Sequence, residues 1–258
     1  MKNIHRVTYA LVALVLATAA FSIATRGSGQ DEATQTDSQE SAATALQKYE
    51  ARKRTFPTAD YDEAEPSNPS KQAARREKQK RYDKFGLVVR EPHPETTETN
   101  FVGHPEVDFP ALPLEKSDVI IVGNVIAGEA HLSADKKNVF SEFPVRVTKV
   151  YKATTLTVPA VDSSIVVERV GGYVRYPNGQ TVLYRSPGVG MPPVGKTCVL
   201  FLNTIPPTDA YTILTGYELG VNGFEPLDFG SKFEAFRGMD VSTFLSTLAD
   251  LVTKASAP

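Results

Sequence analysis

A phosphate-binding motif is the first chemistry that the sequence offers. Residues 190–197, GMPPVGKT, fit the pattern G-x-x-x-x-G-K-[ST], in which backbone N–H groups cradle phosphate ahead of a helix. Here Pro192 and Pro193 remove two of those N–H donors. The residues after Thr197 are apolar and β-prone, which predicts a strand where the motif needs a helix N-terminus. We interpret the match as a loop entering a strand, and we expect no bound cofactor.

Histidine and cysteine side chains supply no nucleophilic or metal-binding pattern. His93 and His104 each precede a proline in a polar segment, and His131 lies at the end of a predicted strand. These three positions do not have the spacing of a metal-ligand set. Cys198 is the single cysteine of the chain, and its apolar neighbours predict a small core side chain. No intrachain disulfide can form, so the folded domain must be stable without one.

Acidic side chains could serve glycosidase-type chemistry only if two of them meet in the fold. Glu142, Glu168 and Asp228 occur singly along predicted strands. Their order in the chain does not determine whether any two converge. Since the sequence has no nucleophilic pattern and no metal-ligand spacing, we predict a protein that is not an enzyme. An extracytoplasmic hydrolase stays as an alternative, which converging carboxylates in a concave polar pocket would favour.

A hairpin with tyrosine and arginine side chains is the best candidate for a binding surface. Residues 173–176 and 181–185 are strand-like runs, and Asn178-Gly179 between them supplies the positive φ angles of a tight turn. Aromatic and arginine side chains on such a face can stack on bases or sugars. The alternative is that the tyrosines cover the edges of the core. The candidate interaction residues are Tyr173, Arg175, Tyr176, Tyr184 and Arg185.

The elements that must position these residues begin near Asp118, where short β-type runs separated by turns replace a polar sequence. Seven or eight strands in about 110 residues, with no long helix between them, predict a mainly β domain, a small antiparallel barrel or sandwich. Pro144 cannot donate a ladder hydrogen bond, so its strand is expected at an edge or with a bulge. The predicted strands are 119–126, 143–148, 164–170, 173–176, 181–185, 199–202, 211–219 and 224–227.

A helix is predicted to close the chain. From Asp240 onward, apolar residues recur at helical spacing and form one stripe. Asp240 or Ser242 can cap its start. Such a stripe is expected to dock on the core of the domain, and binding a partner helix is the alternative. The stripe consists of Phe244, Leu245, Leu248, Leu251 and Val252.

The N-terminus predicts export. Lys2 and Arg6 precede 19 uncharged residues, Val7 to Thr25, which is the order of a secretory signal. The same segment is long enough to span a bilayer, and the basic residues before it place everything downstream outside the cytoplasm. We predict that residues 1–25 are a signal peptide or a membrane anchor. The protein is then periplasmic, secreted or anchored to the cytoplasmic membrane, with membrane contact through residues 7–25 if they are not cleaved.

Residues 26–113 predict a polar lead-in and linker ahead of a β domain over 114–258. Residues 27–40 have the composition of a disordered segment, and residues 86–113 read as an extended linker. Helical stretches are predicted at Ser41–Arg54 and Lys71–Lys84. The second stretch has seven Lys or Arg residues. They could contact an anionic surface such as lipid headgroups, or they could form a solvated helix.

The β region also resembles known domains. Ser117–Val125, Phe143–Lys152, Ile165–Val167 and Val194–Leu202 together resemble uncharacterised exported bacterial β domains. More distantly they resemble netrin-like, OB-type barrels of the metalloproteinase-inhibitor superfamily. The resemblance covers roughly residues 112–228 and implies an OB-like barrel. Those inhibitors use an N-terminal cysteine and a set of disulfides, whereas this chain has only Cys198, so protease inhibition is not carried over.

These observations lead to one functional expectation and two alternatives. We expect an exported, non-catalytic β-domain protein that serves as a binding or interaction module of the cell envelope, with a protein or polysaccharide partner. A structural, membrane-tethered envelope component is the first alternative, and an extracytoplasmic hydrolase is the second. The formal net charge of −2 argues against nucleic acid as a partner, because nucleic-acid-binding domains are usually basic.

Overall fold

A computed structural model describes Gln47 and residues 55–84, 89–92, 110–155, 158–206 and 208–255. The segments predicted as a signal or anchor (1–25) and as disordered (27–40) lie outside these residues. So does the predicted helix Ser41–Arg54, except for Gln47, which is helical. Among the described residues, no helix is both long enough and apolar enough to cross a membrane.

Strands dominate the described part of the chain, as predicted. The helices are α1 (Pro69–Arg81), which a 3-10 turn over Tyr82–Lys84 follows, α2 (Ser231–Glu234) and α3 (Val241–Ala255). The strands are β1 (Thr58–Asp60), β2 (Val89–Pro92), β3 (Val119–Val125), β4 (Glu129–Leu132), β5 (Val139–Ala153), β6 (Ser164–Val170), β7 (Gly172–Arg175), β8 (Thr181–Arg185), β9 (Thr197–Thr204), β10 (Tyr211–Gly220) and β11 (Gly223–Pro226).

Five of these strands close into a barrel. Around the ring, β3 pairs with β5, β5 with β6, β6 with β10, β10 with β9, and β9 with β3. The β6–β10 pair is parallel and has only two register positions, Val167 opposite Tyr211 and Glu168 opposite Thr212. The other four pairs are antiparallel. The predicted mainly β fold is confirmed. Of the two architectures left open, barrel or sandwich, the strands form a barrel, which is antiparallel except at this one closing pair.

Strand β5 is the longest, and it explains how the barrel accommodates Pro144. Its first residues pair with β4, up to Glu142, and its later residues pair with β3, from Val145 onward. Pro144 lies at the change of partner, where its carbonyl accepts a hydrogen bond from the Ile126 N–H at 2.8 Å. The expected edge position or bulge is therefore wrong. A central strand tolerates the missing N–H because neither β3 nor β4 has a register partner for Pro144 on that side.

Alternating side chains fill the barrel interior. Phe143, Val145 and Val147 of β5 point inward and are fully buried, and Val167 of β6 meets them. Cys198 belongs to the same cluster, as its apolar neighbours predict. The interior is therefore packed with side chains.

Helix α3 covers the outer face of the barrel, as the apolar stripe predicts. Phe244, Leu248 and Val252 are buried, and the Phe244 ring stacks on Phe224 at 3.9 Å between centroids. Strands β3 and β9 are consequently apolar on both faces: Ile120 and Val199 belong to the outer cluster with α3, while the alternate residues face the interior. This double burial explains the continuous apolar run at the start of the β region.

A second, smaller sheet joins the lead-in to the barrel. Its order is β1-β7-β8-β2, so the β7–β8 hairpin lies between two strands that come from residues before 93. Strand β1 runs parallel to β7, with Ala59 opposite Val174. Ala59 and Val174 are buried together with Leu132 and Val139 of the β4–β5 hairpin. Residues 58–60 and 89–92 of the predicted lead-in are thus integrated into the fold.

A buried arginine connects the elements at the closing pair of the barrel. Arg169 of β6 forms an ion pair with Asp228 at 2.8 Å and donates to the carbonyl of Leu214 at 2.9 Å. It also donates to the carbonyl of Gly190. Asp228 in turn accepts from the Gly190 N–H at 3.0 Å. Both charged side chains are almost completely buried. Each forms the ion pair and at least one further hydrogen bond to the backbone, as a buried charge requires.

We expect Leu248→Ala to lower the free energy of unfolding by about 2–4 kcal/mol, because it removes a fully buried side chain and leaves a cavity under α3. Ser246→Ala, on the exposed face of the same helix, should change it by less than about 0.5 kcal/mol. Urea unfolding followed by circular dichroism measures both. Equal effects for the two variants would mean that α3 does not dock through its apolar stripe.

Candidate functional site

An open pocket lies between the end of β1 and the tip of the β7–β8 hairpin. Its volume is about 460 Å³, and we call it the tyrosine pocket. The Tyr61 and Tyr176 rings stack with 5.0 Å between centroids and 26° between their planes. The Tyr176 hydroxyl lies 2.6 Å from the Tyr184 hydroxyl, which anchors the ring to the core. The pocket is lined by Asp60, Tyr61, Asp62, Glu63, Ala64, Arg175, Tyr176 and Pro177.

The structure brings two of the five predicted interaction residues to this pocket. Arg175 is 58% exposed and Tyr176 is half-buried, and both line it. Tyr173 is also half-buried and packs against the barrel core. Tyr184 and Arg185 are buried, so a ligand in solution does not reach them. Alternation along β8 alone does not predict this burial, because both faces of the strand are covered.

The other wall of the pocket comes from residues for which the sequence indicated only an acidic break. Asp60 accepts a hydrogen bond from Arg175 Nε at 2.7 Å, so the two walls are joined directly. Tyr61 follows β1, and its N–H donates to the Arg175 carbonyl at 2.9 Å. In the sequence, only the tyrosine within the acidic run Asp60–Glu65 could have indicated this wall. The parallel pairing of β1 with β7, more than 100 positions away, is not visible in a local pattern.

Charges in the tyrosine pocket occur in opposite pairs. Asp60 pairs with Arg175, and Glu63 pairs with Arg75 of α1. Lys136 Nζ lies 4.2 Å from the centre of the Tyr61 ring and 4.0 Å from Asp62. The three carboxylates of the pocket therefore each have a cationic neighbour.

A second site, the ionic cluster, lies beneath α1 and consists of Lys78, Arg81, Tyr82, Glu142 and Glu168. The two glutamates stand opposite each other on β5 and β6. Lys78 Nζ bridges them, at 2.6 Å from Glu142 and 3.1 Å from Glu168. Arg81 lies 3.3 Å from Glu168, and the Tyr82 hydroxyl donates to the same carboxylate at 2.5 Å.

The ionic cluster contains two of the carboxylates that could have formed a hydrolase site. Glu142 and Glu168 do converge, but the Glu168 side chain is 0% exposed because α1 and Tyr82 cover it. Tyr82 further stacks on Phe140 at 4.1 Å, and its carbonyl accepts from the Asn138 side chain at 2.9 Å. The arrangement therefore attaches α1 to the barrel and leaves no open face at Glu168 for a substrate.

The basic stretch Lys71–Lys84 is helical as predicted, and most of its cations are paired within the chain. Helix α1 starts after Asn68, whose side chain caps the N–H groups of Ser70 and Lys71, and no residue of α1 is fully buried. Ion pairs rather than an apolar face attach it to its neighbours, while the Lys80–Glu77 pair lies within the helix itself. The attaching pairs are Arg75–Glu63, Arg76–Glu65, Lys78–Glu142, Lys78–Glu168 and Arg81–Glu168.

Protonation is coupled to this attachment. Burial is the largest single influence on Lys78 and opposes its charge, but the hydrogen bond and charge of Glu142, with help from Glu168, outweigh it and raise the pKa of Lys78. Burial, followed by the Glu168 charge, raises the pKa of the Tyr82 hydroxyl. The folded chain therefore holds both protons more tightly than the unfolded chain does.

The phosphate-loop match at 190–197 is a loop that enters β9 at Thr197, as predicted. Its backbone donors are used internally: Gly190 N–H donates to Asp228, and Gly195 N–H donates to the Val125 carbonyl at 2.8 Å. A Cβ at Gly190 would lie 2.0 Å from the Leu227 carbonyl oxygen, so close backbone packing explains this glycine. Lys196 is exposed and lies 3.8 Å from Glu218.

No protein-family model and no curated protein matches the chain. Within the described residues, no group of three or more His, Cys, Asp and Glu side chains is arranged to hold a metal ion. The tyrosine pocket and the ionic cluster are the two sites whose geometry bears on function.

We expect Glu168→Gln to lower the free energy of unfolding by about 2–3 kcal/mol, since it leaves Lys78 and Arg81 without their shared buried carboxylate. Glu77→Gln removes an exposed partner of Lys80 on the same helix and should cost under about 0.5 kcal/mol. Hydrogen exchange of residues 69–84 should accelerate in the first variant only. Unchanged exchange in Glu168→Gln would contradict attachment of α1 through the ionic cluster.

Stability should fall as the pH rises above about 10, where the unfolded chain loses Tyr and Lys protons that Tyr82 and Lys78 retain in the fold. Their contribution is fully present below that pH. Tyr82→Phe should be less stable than wild type at pH 7 yet lose less stability between pH 9 and 11. Tyr217, whose pKa burial also raises, contributes equally to both proteins. Urea unfolding across this range measures the two slopes, and equal slopes would contradict the assignment.

Proposed function

We propose that the protein is an extracytoplasmic, non-catalytic binding module of the cell envelope, and that the tyrosine pocket is its ligand contact. The observation that carries the proposal is the stacked Tyr61–Tyr176 pair beside the accessible Asp60–Arg175 pair. Aromatic rings with a few convergent polar groups are typical of ligand sites, and about 460 Å³ lies within the usual range of such pockets.

The rest of the domain supports binding at the pocket more than chemistry elsewhere. The barrel interior is filled, so it has no room for a ligand of its own. Glu142 and Glu168, the paired carboxylates that could serve a hydrolase, are bridged by Lys78 beneath α1. The tyrosine pocket, in contrast, is open. The extracytoplasmic location rests on the apolar segment Val7–Thr25.

A structural, membrane-tethered role is the second candidate, and the attachment of α1 favours it. A helix held to the barrel by Lys78 and Arg81 would fix the domain relative to the chain that precedes it. If Val7–Thr25 is retained as an anchor, the chain would tether the domain to the membrane. Intact Met1 in a membrane fraction would support the tether, and a mature N-terminus after residue 19 or 24 would exclude it.

Sedimentation with isolated cell envelopes tests the binding module. We expect Arg175→Ala to reduce the affinity for envelopes by about tenfold, because Arg175 joins the two walls of the pocket. Arg146→Ala is a matched control: Arg146 is also 58% exposed and pairs with a single carboxylate, Asp162 at 3.2 Å, away from the pocket. Wild-type protein that stays in the supernatant, or equal loss in both variants, would refute the proposal.

A further inference from the structure

We infer that the tyrosine pocket binds a neutral, hydroxyl-rich ligand, a sugar residue of an envelope polysaccharide. The inference rests on the proposed function, since it names the ligand class of the same pocket. It follows from the charge balance, the remaining hydrogen-bonding capacity and the aromatic wall of the site. A protein partner is the competing outcome of the experiment below.

The charge balance disfavours a charged ligand. Asp60, Asp62 and Glu63 line the pocket, and Arg175, Lys136 and Arg75 respectively stand beside them. A cationic ligand would have to compete with a cation already in place, and an anionic ligand would meet three carboxylates. Either ligand would replace existing ion pairs by new ones, with little net gain in binding free energy. A neutral ligand leaves these pairs intact.

The hydrogen-bonding groups suit hydroxyl groups. Arg175 uses its Nε to bind Asp60, and a guanidinium has four further N–H donors. The Asp60 carboxylate can accept several hydrogen bonds, and both side chains are more than half exposed. A sugar hydroxyl donates and accepts at once, so neighbouring hydroxyls on one ring can bond to the carboxylate and the guanidinium together.

The aromatic wall suits the C–H face of a sugar ring. Tyr61 and Tyr176 stack on each other with 26° between their planes, and the Tyr176–Tyr184 hydroxyl contact holds the Tyr176 ring in place. A ring that is fixed before binding loses little entropy when a ligand packs on it. The Lys136 ammonium group lies over the Tyr61 ring, so Tyr176 is the ring that is left to offer a face to a sugar. A hydroxyl-rich ring with one apolar face satisfies all of these features.

Ligand-observed saturation-transfer NMR on the full chain, in a detergent without a sugar headgroup, tests the inference. The probes are maltotriose and chitotriose as neutral sugars, a glucosamine trimer and trigalacturonic acid as charged sugars, and tetralysine and tetraglutamate as peptides. We expect a neutral sugar to bind, with a dissociation constant unchanged between roughly 0.05 and 0.5 M NaCl. Arg175→Ala and Asp60→Asn should each weaken it about tenfold, and Arg146→Ala should not.

Tyr176→Leu separates the aromatic contribution from folding, because it keeps an apolar side chain at the position. It should weaken sugar binding while circular dichroism stays as in the wild type. Binding of charged probes alone, or loss of affinity in high salt, would overturn the sugar assignment. If no probe binds but Arg175→Ala still lowers envelope sedimentation, the partner is a protein and only the ligand class is wrong. If sedimentation is also unaffected, the proposed function fails too.

Discussion

Closure of the barrel depends on Arg169. The closing strands β6 and β10 pair at only two register positions, and β10 has an irregularity directly after them, between Ile213 and Thr215. Leu214 has no register partner in β9 or β6, and Arg169 donates a hydrogen bond to its carbonyl at this irregularity. A buried guanidinium is tolerated only when its donors have partners, and Asp228 and the Gly190 carbonyl supply the others. The same contacts hold the 190–197 loop and the residues after β11 in place.

Two consecutive residues of β6 thus organise opposite sides of the sheet. Side chains alternate along a strand, so Arg169 and Glu168 point to different faces. Arg169 serves the closing pair, while Glu168 faces outward and binds Lys78, Arg81 and Tyr82. Both charges are buried and both are paired across elements far apart in sequence. Replacing only one partner of such a pair leaves an uncompensated charge, which makes these positions intolerant of single substitutions.

The sequence predicted local elements well and long-range pairing poorly. The predicted strands 164–170 and 181–185 coincide with β6 and β8, because alternating or apolar runs end at glycines or turns there. Strand β5 begins four residues earlier than predicted, at Val139, since Ser141, Glu142 and Pro144 interrupt the apolar pattern. The hairpin tyrosines were identified, but Tyr61 was missed and Tyr184 was placed at the surface. Those errors arise because β1 pairs with β7 and covers one edge of the hairpin. This strand lies more than 100 residues earlier in the chain, so a local pattern does not reveal it.

The attachment of α1 also determines the shape of the tyrosine pocket. Arg75 and Arg76 of α1 bind Glu63 and Glu65, which belong to or follow the pocket wall. The C-terminal half of the same helix is attached to the barrel through the ionic cluster. The wall is therefore positioned by contacts with the barrel that are more than ten residues away along the chain. A pocket built from a lead-in strand and a hairpin tip has few apolar contacts of its own, so it needs this external support to keep its rings and charged pairs in one arrangement before a ligand arrives.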